Sequence, residues 1–308
     1  MAMDTKKFKE EMQAKVVAIE EILKKFLPEE TGYQKRVLEA MNYSLLASGK
    51  RLRPMMMQET FHIFGGEQTA ILEPFMAAIE MIHTYSLVHD DLPAMDNDEY
   101  RRGRLTTWKV YGDGFGVLAG DGLLNYAFET AMSAFSCVNE KDMVSMNRIV
   151  KALRILAKKA GVYGMIGGQS ADVEAEEQKE PLTTKQLLFI HEYKTAALIQ
   201  ASLMVGAVLA GADEEEVSAI EKCGYDIGIA FQIQDDILDV IGNSEELGKP
   251  VGSDAQNHKQ TYVTINGIEK SKQDVERLSG EAITLLRNMK GNHDFLEKLV
   301  EELIHRTK

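Results

Sequence analysis

The sequence predicts an all-α protein, and three observations carry that expectation. Its six prolines (28, 54, 74, 93, 181 and 250) all fall at or near a plausible helix start or in a loop. The long stretches between them are rich in Ala, Leu, Met, Glu and Lys, which are good helix formers. Apolar residues recur in those stretches at the helical interval, with acidic clusters set among them.

Taken in order, Lys6 to Leu27 is the first helix, with Val16, Ile19, Leu23, Phe26 and Leu27 on a helical repeat that Pro28 ends. The second runs from Thr31 to Ser48, with Gly49 as its C′ residue, and Pro54 opens the third. Between them lies Gly49-Lys50-Arg51-Leu52-Arg53-Pro54, three cations beside a helix start, where backbone N–H groups and the dipole favour an anion. A helix from Pro74 to His89 follows and ends in Leu87-Val88-His89-Asp90-Asp91-Leu92-Pro93-Ala94-Met95-Asp96. His83 and Asp90 share a face at a separation of seven, and Tyr85 and Ser86 lie about 6–8 Å below Asp90 along the axis. Pro93 breaks any continuation, so the spacing predicts a bulge returning Asp96 toward Asp90. Arg101, Arg102 and Arg104 come next in a loop, close enough to quench the acids unless a bound anion shares them.

Further helices are expected over Leu118–Phe135, Asp142–Ala160 and Val162–Glu177. Gly167-Gly168-Gln169-Ser170-Ala171-Asp172 supplies small residues where backbone must approach something closely. Pro181 and Thr183 open a long apolar helix carrying Lys194 and Thr195. Thr195 to Ala212 is almost free of charge, but its length and its Gln200, Ser202 and Gly206 make a buried core helix the reading, not a membrane span. Asp213-Glu214-Glu215-Glu216 begins the next helix, acids in the first turn where the dipole favours them. That helix delivers Phe231-Gln232-Ile233-Gln234-Asp235-Asp236-Ile237-Leu238-Asp239, with Asp235 and Asp239 neighbours at i and i+4 and Gln232 one turn earlier. A loop with Lys249, Asp254 and Lys259 leads to two amphipathic helices over 271–308.

Ionised carboxylates are expensive to bury unless paired or bound to metal. Two acidic clusters in apolar helices therefore imply a shared ligand, and hard oxygens without His or Cys imply Mg²⁺ bridging to phosphate. A net charge of −13 argues against a nucleic-acid partner. Cys137 and Cys223 form no zinc or CxxC pattern and suit a reducing cytosol. The N-terminus lacks an apolar signal region, so a cytoplasmic protein is expected. No P-loop and no Ser/His/Asp or Cys/His arrangement is visible.

In their order these motifs are distinctive: GKRLRP at 49–54, IHTYSLVHDDLPAMDND at 82–98, RRG at 101–103, AGD at 119–121, GGQSAD at 167–172, YKTA at 193–196, FQIQDDILD at 231–239, GK at 248–249 and KQTY at 259–262. The chain resembles the trans-isoprenyl diphosphate synthases, and within them the bacterial farnesyl diphosphate synthases. The resemblance implies one polyprenyl synthase domain over 1–308, helices around a deep central cavity (the isoprenoid synthase fold), and a homodimer. It implies that Asp90, Asp91, Asp96, Asp235 and Asp239 hold Mg²⁺ ions against an allylic diphosphate. Arg101, Lys194, Lys249 and Lys259 would bind that diphosphate, with Thr195 and Gln232 beside its C–O bond. Lys50, Arg53, His83 and Arg102 match positions that hold isopentenyl diphosphate. The implied reaction joins isopentenyl diphosphate to dimethylallyl and then geranyl diphosphate, giving farnesyl diphosphate. The two extra residues in Asp90-Asp91-Leu92-Pro93-Ala94-Met95-Asp96 and the aromatic Tyr85 resemble the C15 pattern, with Tyr85 and Ser86 at the floor of the cavity. Geranyl or geranylgeranyl synthesis, a terpene-synthase-like enzyme and a non-catalytic prenyl-diphosphate-binding subunit are the alternatives. The paired acid clusters and the full basic set argue against the last two.

Overall fold

The computed structural model describes residues 4–178, 180–241 and 260–304. Lys249 and Lys259 lie outside them, as do Gly248 and Asp254. The described residues are overwhelmingly helical, as expected. In chain order the helices are α1 (Thr5–Lys25), α2 (Lys35–Leu45), α3 (Leu52–Ile63), α4 (Thr69–Asp90), α5 (Thr107–Tyr111), α6 (Asp113–Met132), α7 (Met143–Ala160), α8 (Met165–Glu177), α9 (Thr184–Ile190), α10 (Ala197–Ala210), α11 (Glu214–Ile241), α12 (Tyr262–Asn266), α13 (Ile268–Arg287) and α14 (Asp294–Ile304). A short 3₁₀ turn, Ser133–Cys137, follows α6, and a π-helical segment, His191–Ala196, joins α9 to α10. The strands are β1 (Tyr100–Arg101) and β2 (Arg104–Leu105), an antiparallel hairpin.

At the centre lies α10, packed on α3, α7 and α11. Nearly all of it is buried, which answers the question its hydropathy raises: the apolar side chains face neighbouring helices. Close approach to α3 depends on Gly206, where a Cβ would stand 2.3 Å from the Met57 carbonyl oxygen. The remaining large contacts are α4 against α6 and α11 against α13. Amphipathic α13 and α14 close the bundle, each burying one apolar stripe. On the solvent side of α13, an added Cβ at Gly280 meets nothing within 4 Å. Gly280→Ala is expected to stabilise the protein by about 1 kcal/mol, read as a higher denaturant midpoint, because it removes backbone entropy from the unfolded chain at no steric cost.

Several helix ends differ from expectation for identifiable reasons. The second helix stops at Leu45, three residues before Ser48, and Gly49 is not its C′ residue. Its orphan carbonyls are taken by a side chain instead: Arg51 Nη2 donates to the Leu45 and Ala47 oxygens at 3.2 and 2.8 Å. Arg51 is also the N-cap of α3, in the left-handed region at φ 49°, so Pro54 is the third helical residue. Helix α4 begins at Thr69, and Pro74 sits in its second turn. The helix starts expected at Asp142 and Thr183 are capped: Asp142 accepts from the Ser145 N–H, and Thr183 forms a capping box with Gln186.

Candidate active site

The basic turn and the first acidic cluster meet at one small cavity of about 50 Å³. Arg51, Glu80, His83, Asp91, Arg101 and Arg102 are among its walls. Helix α4 brings His83, Asp90 and Asp91 to one end, and the chain leaving it turns sharply after Pro93. The Asp96 N–H donates to the Asp90 carbonyl at 2.8 Å, which is the return of Asp96 that the Pro93 spacing implies. Asn97 takes a left-handed φ of 55° to make that turn.

The loop expected at Arg101–Arg104 is a tight hairpin. Its central residues, Arg102 and Gly103, have φ of 53° and 75°, the two positive values that a type I′ turn demands. The turn sends the two arginines to different partners. Arg101 Nε donates to Asp91 Oδ1 at 2.6 Å. Arg102 Nη1 donates to the Ser48 carbonyl at 2.6 Å and lies over Gly49, where a Cβ would stand 2.5 Å from it. Gly49 is thus there for Arg102, and Asp91 faces Arg101, while Asp90 is half-buried and Asp96 exposed. Lys50 is exposed and Arg53 half-buried beneath it.

These burials shift the titrations. Desolvation pushes the Arg53 guanidinium down to about 10, against the pull of Glu80. Burial, reinforced by Arg53, Arg102, Arg101 and Arg51, holds His83 well below its usual 6.5, so its imidazole is neutral at pH 7. Burial raises Asp90 as well, with Lys194 opposing and Asp96 adding. Asp91 rises to about 6 for the same first cause, despite Arg101. The unfolded chain protonates His83 before the folded one does, so the His83 contribution to stability falls as the pH drops below about 6.5, opposed by Asp90 and Asp91, whose raised folded pKa values act with the opposite sign. His83→Gln is expected to flatten that acid limb of the denaturant midpoint between pH 7 and 5. An unaltered slope would assign the loss to other groups.

The second half of the site is built around the π-helical segment His191–Ala196, which periodicity did not reveal. A π turn widens the helix by one residue, a device common at functional sites. It carries Lys194, whose Nζ donates to Asp172 Oδ2 at 2.5 Å, and Thr195, whose hydroxyl donates to Gln232 Oε1 at 3.1 Å. Asp90 feels both Lys194 and Asp172, so this segment adjoins the first cluster. Gln232 leads on α11 to Asp235, half-buried, and to Asp236 and Asp239, both buried. Asp236 Oδ2 accepts from the Tyr262 N–H at 2.7 Å, which docks the start of α12 on this cluster. Small residues of GGQSAD serve the protein's own backbone: a Cβ at Gly168 would stand 2.0 Å from the Lys194 nitrogen.

Among the described residues, no three His, Cys, Asp or Glu side chains form a ready-made metal cage. The donor set nonetheless fits a hard divalent ion, because Mg²⁺ keeps several waters and takes one or two carboxylates together with substrate phosphates. Asp90's raised pKa is a mark of the same fit, a half-buried carboxylate among like charges that a cation would relieve.

Tyr85 lies on α4 with a buried ring set edge-on to His89, centroids 5.8 Å apart, and its hydroxyl buried without a partner among the described residues. Ser86 is half-buried and its hydroxyl donates to the His83 carbonyl at 2.9 Å. Sequence reasoning counted Arg51 only among the cations of the basic turn and passed over Glu80. The signal was present: Glu80 is the sole charge between Pro74 and Ile82.

Residues 34–303 match the polyprenyl synthetase family model. The chain is 46% identical over 248 residues to large subunit 1 of the chloroplastic heterodimeric geranylgeranyl pyrophosphate synthase of Arabidopsis thaliana, covering 80% of this chain and 66% of that one. It is 42% identical over 256 residues to the farnesyl diphosphate synthase of Geobacillus stearothermophilus, covering 83% of each. The structure of a Helicobacter pylori geranyltransferase complexed with magnesium and isoprenyl diphosphate matches with a TM-score of 0.80 at 31% identity, over 99% of this chain and 98% of that one. The chain belongs to the polyprenyl synthetase family and is a prenyltransferase of all-α fold. The resemblance read from its motifs is borne out.

Proposed function

We propose that this prenyltransferase makes farnesyl diphosphate, condensing isopentenyl diphosphate head to tail with dimethylallyl and then geranyl diphosphate. The observation that supports the reading is an arginine-lined cavity bordered by Asp91, with Asp90 beside it feeling Lys194, Arg101, Asp96 and Asp172. In this reading Lys50, Arg53, His83 and Arg102 hold isopentenyl diphosphate. Neutral His83 donates one ring N–H, and the cations supply the charge. Arg101 and Lys194, with Lys249 and Lys259, hold the allylic diphosphate. Magnesium bound by Asp90, Asp91, Asp96, Asp235 and Asp239 supplies Lewis-acid stabilisation of diphosphate charge.

As the allylic C–O bond breaks, negative charge gathers on the departing diphosphate, and Lys194 and Arg101 stabilise it there. The Thr195 and Gln232 oxygens face the allylic carbon, where positive charge develops. The C3=C4 double bond of isopentenyl diphosphate attacks that carbon, forming the new C–C bond. The released pyrophosphate takes the C2 proton, so no side-chain base is needed. The cation must be kept from water, and Leu87 and Val88 of α4 give the cavity an apolar wall.

Tyr85 and Ser86 are assigned to the floor that limits chain growth. Tyr85→Ala is expected to shift the product from C15 to C20 or longer, by removing a buried ring below Asp90. Unchanged product would place the floor elsewhere. The Arabidopsis relative is named for geranylgeranyl pyrophosphate synthesis, which keeps a C20 product as the second reading. A cytoplasmic homodimer completes the proposal, supported by the apolar side chains Val117, Leu118 and Met132 that α6 leaves exposed.

A product assay tests the whole. Purified protein is given labelled isopentenyl diphosphate, Mg²⁺ and either dimethylallyl or geranyl diphosphate, and the dephosphorylated alcohols are separated by length. Farnesol from both starters supports the reading. A C20 alcohol overturns the chain length, and absence of metal-dependent product overturns the reaction.

A further inference from the structure

The cavity lined by His83 and Arg102 contains a buried carboxylate that the reaction does not employ. Glu80 stands on α4, three residues before His83, with its side chain 4% exposed. Its Oε1 accepts from Arg51 Nη1 at 2.7 Å, and the Arg51 side chain is equally buried, at 2%. The other end of that guanidinium is spent on the Leu45 and Ala47 carbonyls. Arg51 has a left-handed backbone conformation, and both of its terminal nitrogens are engaged by these partners even though the side chain borders the cavity. Glu80's charge also reaches Arg53 and Arg102, supporting the protonated state of both, while Asp91 is committed to Arg101.

We infer that Glu80 is the resident counter-charge of the isopentenyl diphosphate pocket, holding its arginines together before substrate arrives and lowering the pocket's affinity for the diphosphate. Arg51 is a positioning residue: it neutralises Glu80, caps α2 and starts α3, leaving Arg53 and Arg102 to meet the anion. The inference rests on the assignment of this pocket to isopentenyl diphosphate. Its physical basis is that a buried anion near a cationic site opposes a second anion there, at an effective dielectric far below that of water.

The probe is isopentenyl diphosphate in EDTA without an allylic partner, so that no turnover occurs, with binding read by calorimetry and thermal melting. Glu80→Gln keeps an acceptor for Arg51 but removes the charge. It is expected to melt lower without ligand, to bind the probe on the order of fivefold more tightly, and to gain more from it in melting temperature than the wild type. In turnover, KM for isopentenyl diphosphate should fall while KM for the allylic substrate stays put. Equal or weaker binding by Glu80→Gln overturns the counter-charge assignment.

Should that variant fail to fold, the charge-neutral pair Arg51→Met with Glu80→Met decides the matter, since a buried ion pair is commonly replaced by apolar residues without loss of stability. Affinity within about twofold of wild type is expected, because the two charges cancel. A loss on the order of tenfold would make Arg51 a direct ligand of the diphosphate and overturn the inference. Absence of binding by the wild type itself is a separate outcome: it overturns the pocket assignment and the inference with it.

Discussion

Asp90→Asn is expected to lower kcat/KM for the allylic diphosphate by more than about 100-fold while raising the melting temperature of the ligand-free protein. The two effects share one cause. Asp90 is half-buried, burial raises its pKa, and Asp96 and Asp172 add to that rise. A carboxylate whose folded pKa exceeds its unfolded value destabilises the fold when ionised, so at pH 7 the neutral amide is the more stable occupant. The same substitution removes the anionic oxygens that the proposed metal site requires. Steady-state kinetics at saturating Mg²⁺ and a thermal melt check both halves. Activity within tenfold of wild type would remove Asp90 from the metal set, and a lowered melting temperature would mean that Lys194 and Arg101 depend on its charge.

Gly168→Ala is the second large effect, and it acts on catalysis from outside the cavity. The added Cβ would fall 2.0 Å from the Lys194 nitrogen and 2.5 Å from the Tyr193 carbonyl carbon. Both are backbone atoms of the π segment, with no flexible side chain to swing away, so α8 and that segment must part. Lys194 and Thr195 move with it. A displacement near 1 Å at groups that position a reacting bond costs on the order of 100-fold in rate. We expect kcat to fall by about that factor, with KM for isopentenyl diphosphate little changed because its basic pocket lies on α3, α4 and the hairpin. Equal damage to both substrates' KM would indicate general unfolding of the site.

The residues of the candidate site were legible because their types are costly where they stand. Asp90, Asp235 and Asp239 sit in apolar helices with Asp96 just past the first, and Lys50, Arg53 and Arg102 stand in two short basic runs; composition alone forces the question of a shared anion and cation. Helix existence was legible from periodicity, and so were the helix starts at Asp142 and Thr183, because those are local signals. What escaped were features settled by distant partners. Gly49 reads as a helix end, yet Arg51 supplies the cap and Gly49 clears space for Arg102 from over fifty residues away. The π segment leaves no trace in an apolar pattern, since widening by one residue is set by packing against Gly168 and Gly228, where added Cβ atoms would meet Lys194 and Ala196. Pro74 marks a helix start by its missing N–H, but the structure continues one turn earlier.

The position of α10 bears on how the chain is made. Thr184–Ala210 is long and apolar enough to cross a membrane by composition, and 78% of its most apolar window is buried. Two of its covering helices, α3 and α7, precede it in the chain, and the third, α11, follows. A ribosome therefore releases the greasy segment when only part of its cover has been synthesised, and the rest arrives with Glu214–Ile241. Until then one flank of α10 lies open to chaperones or to other nascent chains. The helix that brings Asp235 and Asp239 is also the one that closes this flank, so a chain truncated before it lacks the second acidic cluster and carries a sticky surface at once.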